Sequence, residues 1–261
     1  MNRVRQVWAD GRAAVLGWLH IPSAFSAEAL AHCGYDGLVI DLQHGAAEAS
    51  DVAAMLMAIE CGGAEPFVRV TANAPAEVMK VLDLGAYGVI APLVESAAEA
   101  SRFAAALHYP PRGMRSFGPR RPLLRYGGDY LAAASSSVVS LAMIETVQGL
   151  EDLDAILAVA DYDGVFIGPS DLALSLGRTP KPDSDDPHVQ DVIAEIRTRC
   201  KAAGKRVGLF CVDPQFARAK IAEGFDLVSI APDLTMLTSA AKTAVQVARA
   251  LPSSSLSGAR G

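Results

Sequence analysis

Cysteine is scarce in this chain. Four are spread over 261 residues (Cys33, Cys61, Cys200 and Cys211), with no CxxC pair and no zinc-type spacing. That argues against a disulfide framework and predicts free thiols in a reducing compartment. The opening MNRVRQVWADGR has no apolar core of the kind a signal peptide needs. No apolar run approaches the length that spans a bilayer, so a cytoplasmic location and no membrane partner are expected. Basic excess is missing too: 23 Lys and Arg stand against 29 Asp and Glu, a formal net charge of −6. No nucleic-acid footprint follows from such a balance.

What is present is a rhythm. The 51% of hydrophobic residues fall in short β-branched runs alternating with alanine-rich segments of helical period. Strands are predicted at 15–19, 38–42, 67–70, 88–93, 138–145, 164–167, 207–212 and 227–231. Helices are predicted at 23–32, 47–60, 75–84, 96–107, 150–160, 188–203, 214–222 and 234–251. Near-continuous apolar strands imply parallel pairing with both faces covered. Eight such units in about 250 residues match an α/β fold of the (β/α)8 TIM-barrel type, a parallel eight-stranded barrel. An open doubly wound sheet is the alternative, but no GxGxxG turn opens the first helix. The predicted organisation is one barrel domain over 1–252 and a disordered tail, 253–261. Two long connections, 108–130 and 176–187, read as lids or interface loops.

Barrel chemistry gathers at the C-terminal ends of the strands. There the chain places His20, then Asp41, Gln43 and His44 in LVIDLQHG, Arg69 in PFVRV, Glu95, Glu145 in MIET, Asp171 in GPSD, Asp213 and Asp233. Singly, most have plain explanations. Glu145 is also a helix cap or surface charge, and Asp171 an N-cap, a role Asp favours. Asp213 and Asp233, beside prolines and before helices, fit capping better than chemistry. His44 alone is ambiguous, and His20, His32, His108 and His188 read as structural. Arg69 is harder to dismiss, because a guanidinium inside a strand is costly unless it meets an anion. Jointly, Glu145 and Asp171 offer two hard oxygen ligands from neighbouring strands, a pattern that suits Mg²⁺ or Mn²⁺ completed by water and substrate. The GPSD turn exposes backbone N–H groups that suit a substrate carboxylate.

None of the lysines (80, 181, 201, 205, 220 and 242) lies within an apolar strand, so a lysine-imine mechanism is not expected. CVDPQ and APDLT put acids where many barrels keep a phosphate-binding turn.

Together VIDLQHG, PFVRV, MKVLDLGAYGVIAPLV, YPPRGMRSFGP, MIET and DGVFIGPSDLALSLG resemble the HpcH/HpaI aldolase family within the citrate lyase-like superfamily, in order and over nearly the whole chain. The resemblance implies class II, metal-dependent cleavage of 4-hydroxy-2-oxo acids into pyruvate or hydroxypyruvate plus an aldehyde, with Mg²⁺, Mn²⁺ or Co²⁺. It implies Glu145 and Asp171 as metal ligands, His44 as general base and Arg69 as oxyanion stabiliser. Asp83 would raise the basicity of His44, and Asp41 would orient it. Ser170 and Asp171 would offer backbone N–H groups to the substrate, and Met143 stands where many relatives carry a substrate-touching glutamine. Arg115 would meet a charged group near the mouth or lie at a surface or subunit interface. The implied assembly is a homo-hexamer with the C-terminal helix packed on a neighbouring subunit. The competing readings are a CoA-thioester lyase of the citrate or malyl-CoA type, a metal-dependent 2-oxo acid decarboxylase or isomerase, and a non-catalytic binding protein on the same scaffold.

Overall fold

Strands that are apolar on both faces need a layer of helices on one side and each other on the other, and a closed barrel supplies both. The computed structural model describes residues 2–250. A short helix α1 (Arg3–Ala9) comes first, then β1 (Ala14–Leu19), α2 (Ala24–Ala31), β2 (Gly37–Asp41), α3 (Ala49–Cys61) and β3 (Glu65–Arg69). Next are α4 (Pro75–Asp83), β4 (Gly88–Ala91), α5 (Ala97–Leu107), α6 (Arg120–Tyr126) and α7 (Tyr130–Ser137). The rest is β5 (Val139–Ile144), α8 (Val147–Glu151), α9 (Leu153–Ala158), β6 (Gly164–Ile167), α10 (Pro169–Ser175) and α11 (Pro187–Ala202). It ends with β7 (Arg206–Leu209), α12 (Pro214–Ala222), β8 (Leu227–Pro232) and α13 (Asp233–Arg249). The strands pair in parallel in chain order and β8 closes on β1, the (β/α)8 barrel the rhythm predicts. The expected tail at 253–261 lies outside the described residues. No described helix is long and apolar enough to cross a membrane.

Side chains alternate across each strand, and the two faces build two cores. Leu38 and Ile40 of β2 and Val68 of β3 join the outer core under the helices. Leu16, Trp18, Val39, Phe67, Ile90, Leu141, Met143 and Phe166 fill the lumen. Gly88 leaves room for Phe67 there, since a Cβ at that position would stand 1.9 Å from the ring. At the N-terminal end of the barrel, Val4, Val7 and Trp8 of α1 join the same lumen cluster and close it. Asn2 anchors the helix, its Nδ2 donating to the carbonyls of Tyr87 and Ser137, and Trp8 Nε1 donates to the Asp226 carbonyl.

The 108–130 connection corrects two expectations. It carries α6, and it joins a helix to the following strand, so it lies at the N-terminal end of the barrel, away from the mouth. Arg115 is buried inside it: Nη2 donates to Asp83 Oδ1 (2.9 Å), Nη1 to the Tyr130 hydroxyl (3.1 Å), and the guanidinium stacks on Tyr109. It is neither a mouth residue nor a surface one. Asp213 caps α12 as expected, through Phe216 N. Asp233 is not the cap it was expected to be, since the N-cap of α13 is Pro232: as the buried first residue of the helix it accepts from the backbone N–H groups of His20, Ile21 and Leu234 and so ties the end of β8 to the end of β1. Beyond it α13 runs exposed, with Leu237 and Val247 at 59% and 71%.

Replacing Arg115 by Met should lower stability by about 2 kcal/mol, the low side for a broken buried pair because Asp83 keeps some water. The check is a lower urea midpoint at an unchanged slope; an unmoved midpoint would show that the pair contributes nothing.

Candidate active site

Two residues beyond the lumen-facing apolar positions, at the C-terminal ends of the strands, the same faces carry polar groups. Trp18 is followed by His20, Val39 by Asp41, Phe67 by Arg69 and Met143 by Glu145. Asp41 is wholly buried. Its Oδ1 accepts from Arg69 Nε (2.8 Å) and from the backbone N–H groups of Gln43 (3.1 Å) and His44 (3.2 Å). Its Oδ2 meets Arg69 Nη2 at 2.5 Å, Trp18 Nε1 at 3.1 Å and His20 Nε2 at 3.1 Å. Burial alone would raise this carboxyl. Hydrogen bonds from His20 and Arg69, the Arg69 charge and the Trp18 indole outweigh it and hold the group far below the usual carboxylate range.

The anion that Arg69 requires is therefore Asp41. The fork leaves Nη1 uncommitted except for a long contact of 3.9 Å to Met143 Sδ. The expectation that Asp41 orients the imidazole of His44 is corrected: Asp41 holds only the backbone N–H of His44, and the ring it binds is that of His20. His44 is exposed at the rim, its ring without a hydrogen bond among the described residues. Asp83, expected behind His44, ends α4 at the opposite end of the barrel and pairs with Arg115.

Glu145 is 2% exposed. Its Oε1 accepts from Leu93 N at 2.9 Å, and Leu93 adopts a left-handed backbone (φ 52°) that β-carbon-bearing residues seldom take. Its Oε2 is buried and has no partner. Burial pushes the carboxyl up to about 7, opposed by the Leu93 N–H and reinforced by the Asp171 carboxylate. Asp171 does not cap α10, whose N-cap is Gly168 with no side-chain bond. Gly168 lies against Glu145: a Cβ there would come within 2.3 Å of Oε2.

This arrangement fits a hard divalent cation. Two carboxylates lie near enough for the charge of Asp171 to act on Glu145, one has an orphaned oxygen in a space that glycine keeps open, and no described group of three His, Cys, Asp or Glu suggests a zinc-type cage. Beside them is a cavity of about 140 Å³ walled by His20, His44, Arg69, Met143, Gly168, Pro169, Ser170, Asp171 and Phe210. No lysine reaches it. A larger hollow of about 610 Å³ lies between α3 and α4, but it contains neither carboxylate of the pair nor Arg69. His20 and Phe210 are the wall residues that sequence reasoning missed. Alternation along β1 (Leu16, Trp18, His20) was the available signal for the first.

Residues 15–240 match the family model described as HpcH/HpaI aldolase/citrate lyase. The chain is 58% identical to a hydroxypyruvate/pyruvate aldolase of Rhizorhabdus wittichii RW1 over 96% of its own length and all of the relative's. It is 37% identical to a 2-dehydro-3,6-dideoxy-6-sulfogluconate aldolase of Pseudomonas putida, over 88% of this chain and 91% of that protein. A crystal structure of an HpcH/HpaI aldolase/citrate lyase family protein from Burkholderia cenocepacia J2315 superposes with a TM-score of 0.85 at 33% identity, covering 96% of this chain and all of that one.

The Asp41 clamp has a pH signature. Because its folded-state value is depressed, its contribution is complete above the unfolded-state value near 4 and is lost as pH falls below it. Asp41→Asn should cost about 3 kcal/mol at a constant difference from pH 6 to 8, and the difference should shrink below about pH 4. Denaturant midpoints of both proteins across that range check it; a gap that widens in acid would contradict the clamp.

Proposed function

The chain belongs to the HpcH/HpaI aldolase/citrate lyase family and is an aldolase of its class II type, and from that premise we propose that Glu145, Asp171, Arg69 and His44 carry reversible cleavage of a 4-hydroxy-2-oxo acid. The products are pyruvate or hydroxypyruvate and an aldehyde. The observation that carries this reading is the buried Glu145 Oε2, left without a partner beside Asp171 and the open face at Gly168. Glu145 and Asp171 would hold a divalent cation, which when bound would supply Lewis acidity to the donor. Mg²⁺, Mn²⁺ and Co²⁺ all suit two carboxylates completed by water and substrate.

The other roles belong to the chain's own groups. Ser170 and Asp171 sit in the first turn of α10, where backbone N–H groups lack helical partners and can bind the donor carboxylate. In cleavage the C4 hydroxyl proton passes to His44, the C3–C4 bond breaks, C4 becomes the aldehyde carbon, and the electron pair is delocalised toward the 2-oxo oxygen. Arg69 Nη1, aimed by the Asp41 clamp, meets that developing negative charge, a preorganised contribution of about 3 kcal/mol. Proton return at C3 releases the 2-oxo acid. Asp41 acts here by holding Arg69 and the His44 backbone. Asp83 would have to reach His44 from a second copy of the chain. Met143 forms the apolar wall beside Arg69, where a polar side chain would add a hydrogen bond. The small cavity suits a three-carbon donor and an aldehyde better than a CoA thioester.

The exposed apolar side of α13, with Leu234, Leu237, Val245 and Val247, supports the homo-hexamer with this helix on a neighbouring subunit. Scarce cysteine, two of the four buried as free thiols, supports a cytoplasmic location.

Removal of divalent ions with EDTA should abolish cleavage, and Mg²⁺, Mn²⁺ or Co²⁺ should restore it. Borohydride with substrate should trap no adduct. Glu145→Ala should lose the rise in melting temperature that added Mn²⁺ gives the wild type. Full activity in a metal-free preparation would sink the reading. His44→Ala should lower turnover at least about a hundredfold while the Mn²⁺ shift in melting temperature persists; a variant that also loses the shift would assign His44 to the metal instead.

A further inference from the structure

His20 is a polar wall group to which the reaction above gives no task. Its backbone is fixed at both ends of the residue: N–H donates to Asp233 Oδ1 at 2.8 Å, and the carbonyl accepts from Ala46 N at 2.9 Å. Its ring is fixed by Asp41, 3.1 Å from Nε2. Asp41 is an ionised carboxylate, an acceptor only, so the hydrogen of that contact sits on Nε2. In the neutral ring, Nδ1 then keeps its lone pair and is an acceptor.

Nδ1 has no hydrogen-bond partner among the described residues, and it is not one of the side-chain atoms buried without one. It is therefore accessible, on a side chain that helps to wall the cavity. Its surroundings there do not satisfy it. Met143, Pro169 and Phe210 carry no hydroxyl or N–H on their side chains, Arg69 has turned Nε and Nη2 to Asp41, and neither the Ser170 hydroxyl nor the His44 ring, which share the wall, bonds to Nδ1. Besides the Asp171 carboxylate, the Ser170 hydroxyl and the His44 ring, the wall thus presents an acceptor whose direction is set by a buried carboxylate to whatever occupies a 140 Å³ space.

We propose that His20 Nδ1 accepts a hydrogen bond from the C3 hydroxyl of hydroxypyruvate and makes the site prefer this donor to pyruvate. The inference rests on the aldolase reading for the identity of the donors and adds a group that tells them apart. Pyruvate carries a hydrogen on C3 where hydroxypyruvate carries the hydroxyl, which leaves Nδ1 without a partner. A site built to bond a hydroxyl rejects the analogue that lacks it, because the stranded polar group carries its own desolvation cost. Asp41 is then a positioning residue for two groups at once, the free arm of Arg69 and the free nitrogen of His20.

The test is calorimetric titration of the Mg²⁺-loaded protein with hydroxypyruvate and with pyruvate, no aldehyde being present, so that affinity is read without turnover. Wild type should bind hydroxypyruvate at least about tenfold more tightly. His20→Leu should weaken hydroxypyruvate about tenfold or more and change pyruvate less than about threefold. His20→Gln, whose amide can donate to Asp41 and still present an oxygen, should keep part of the preference. His20→Ala serves if the leucine variant does not fold, with the same expectation.

Equal weakening of both donors, no weakening of either, a wild type without preference, or loss of the preference in Ser170→Ala but not in the His20 variants would each overturn the assignment. A wild type that binds selectively but cleaves no 4-hydroxy-2-oxo acid sinks the aldolase reading and leaves His20 as the selector. A competent metal-dependent aldolase whose His20 variants keep the wild-type preference does the reverse.

Discussion

A buried carboxylate paired with a buried guanidinium is the constraint on which the rest of the site depends. Arg69 is 5% exposed and Asp41 is not exposed at all, so each would be intolerable alone. Together they neutralise one another, and the two-pronged contact through Nε and Nη2 fixes the plane of the guanidinium. The remaining arm has one direction left. The same carboxylate satisfies the Trp18 indole, which lies stacked on Phe166 deep in the lumen. Packing below and polarity above are joined at that one side chain.

The step from core to chemistry is a step of two residues. Through the middle of the barrel each contributing strand keeps its lumen face apolar, then places one polar group on that face at the rim while the alternate face continues into the helical layer. A polar layer on a rigid apolar one is what preorganisation requires, because the supporting side chains cannot yield. Glu145 shows the tension this creates. It is as buried as the hydrophobic residues beneath it, its carboxyl is pushed up to about 7, and one oxygen is left unsatisfied. Sites that serve a cation keep such discomfort in the protein alone.

The barrel was legible because parallel strands read as uninterrupted apolar runs, and Glu145 stood out because it closes such a run. What escaped were relations that depend on direction. The resemblance implied a carboxylate, Asp41, behind the imidazole of His44; β2 ends there, and the short Asp side chain instead closes its own turn through the backbone of Gln43 and His44. His20 was judged by its sequence neighbours, although its place on the lumen face of β1 was readable from Trp18. Arg115 and Asp83 were sought near the mouth, yet the end of a helix and the connection to the next strand belong to the other end of any such barrel. Phe210 follows β7 on a face held by Gly208, whose missing side chain gave the run no alternation to read.

The plug formed by α1 has a kinetic meaning. With Val4, Val7 and Trp8 sealing one end of the lumen and side chains filling its length, traffic is one-way-in, same-way-out. The fragment held deepest arrives first and departs last. Both fragments share one doorway, so whichever is seated nearer to it has to clear it before the other can follow, and the cork at one end imposes a queue at the other.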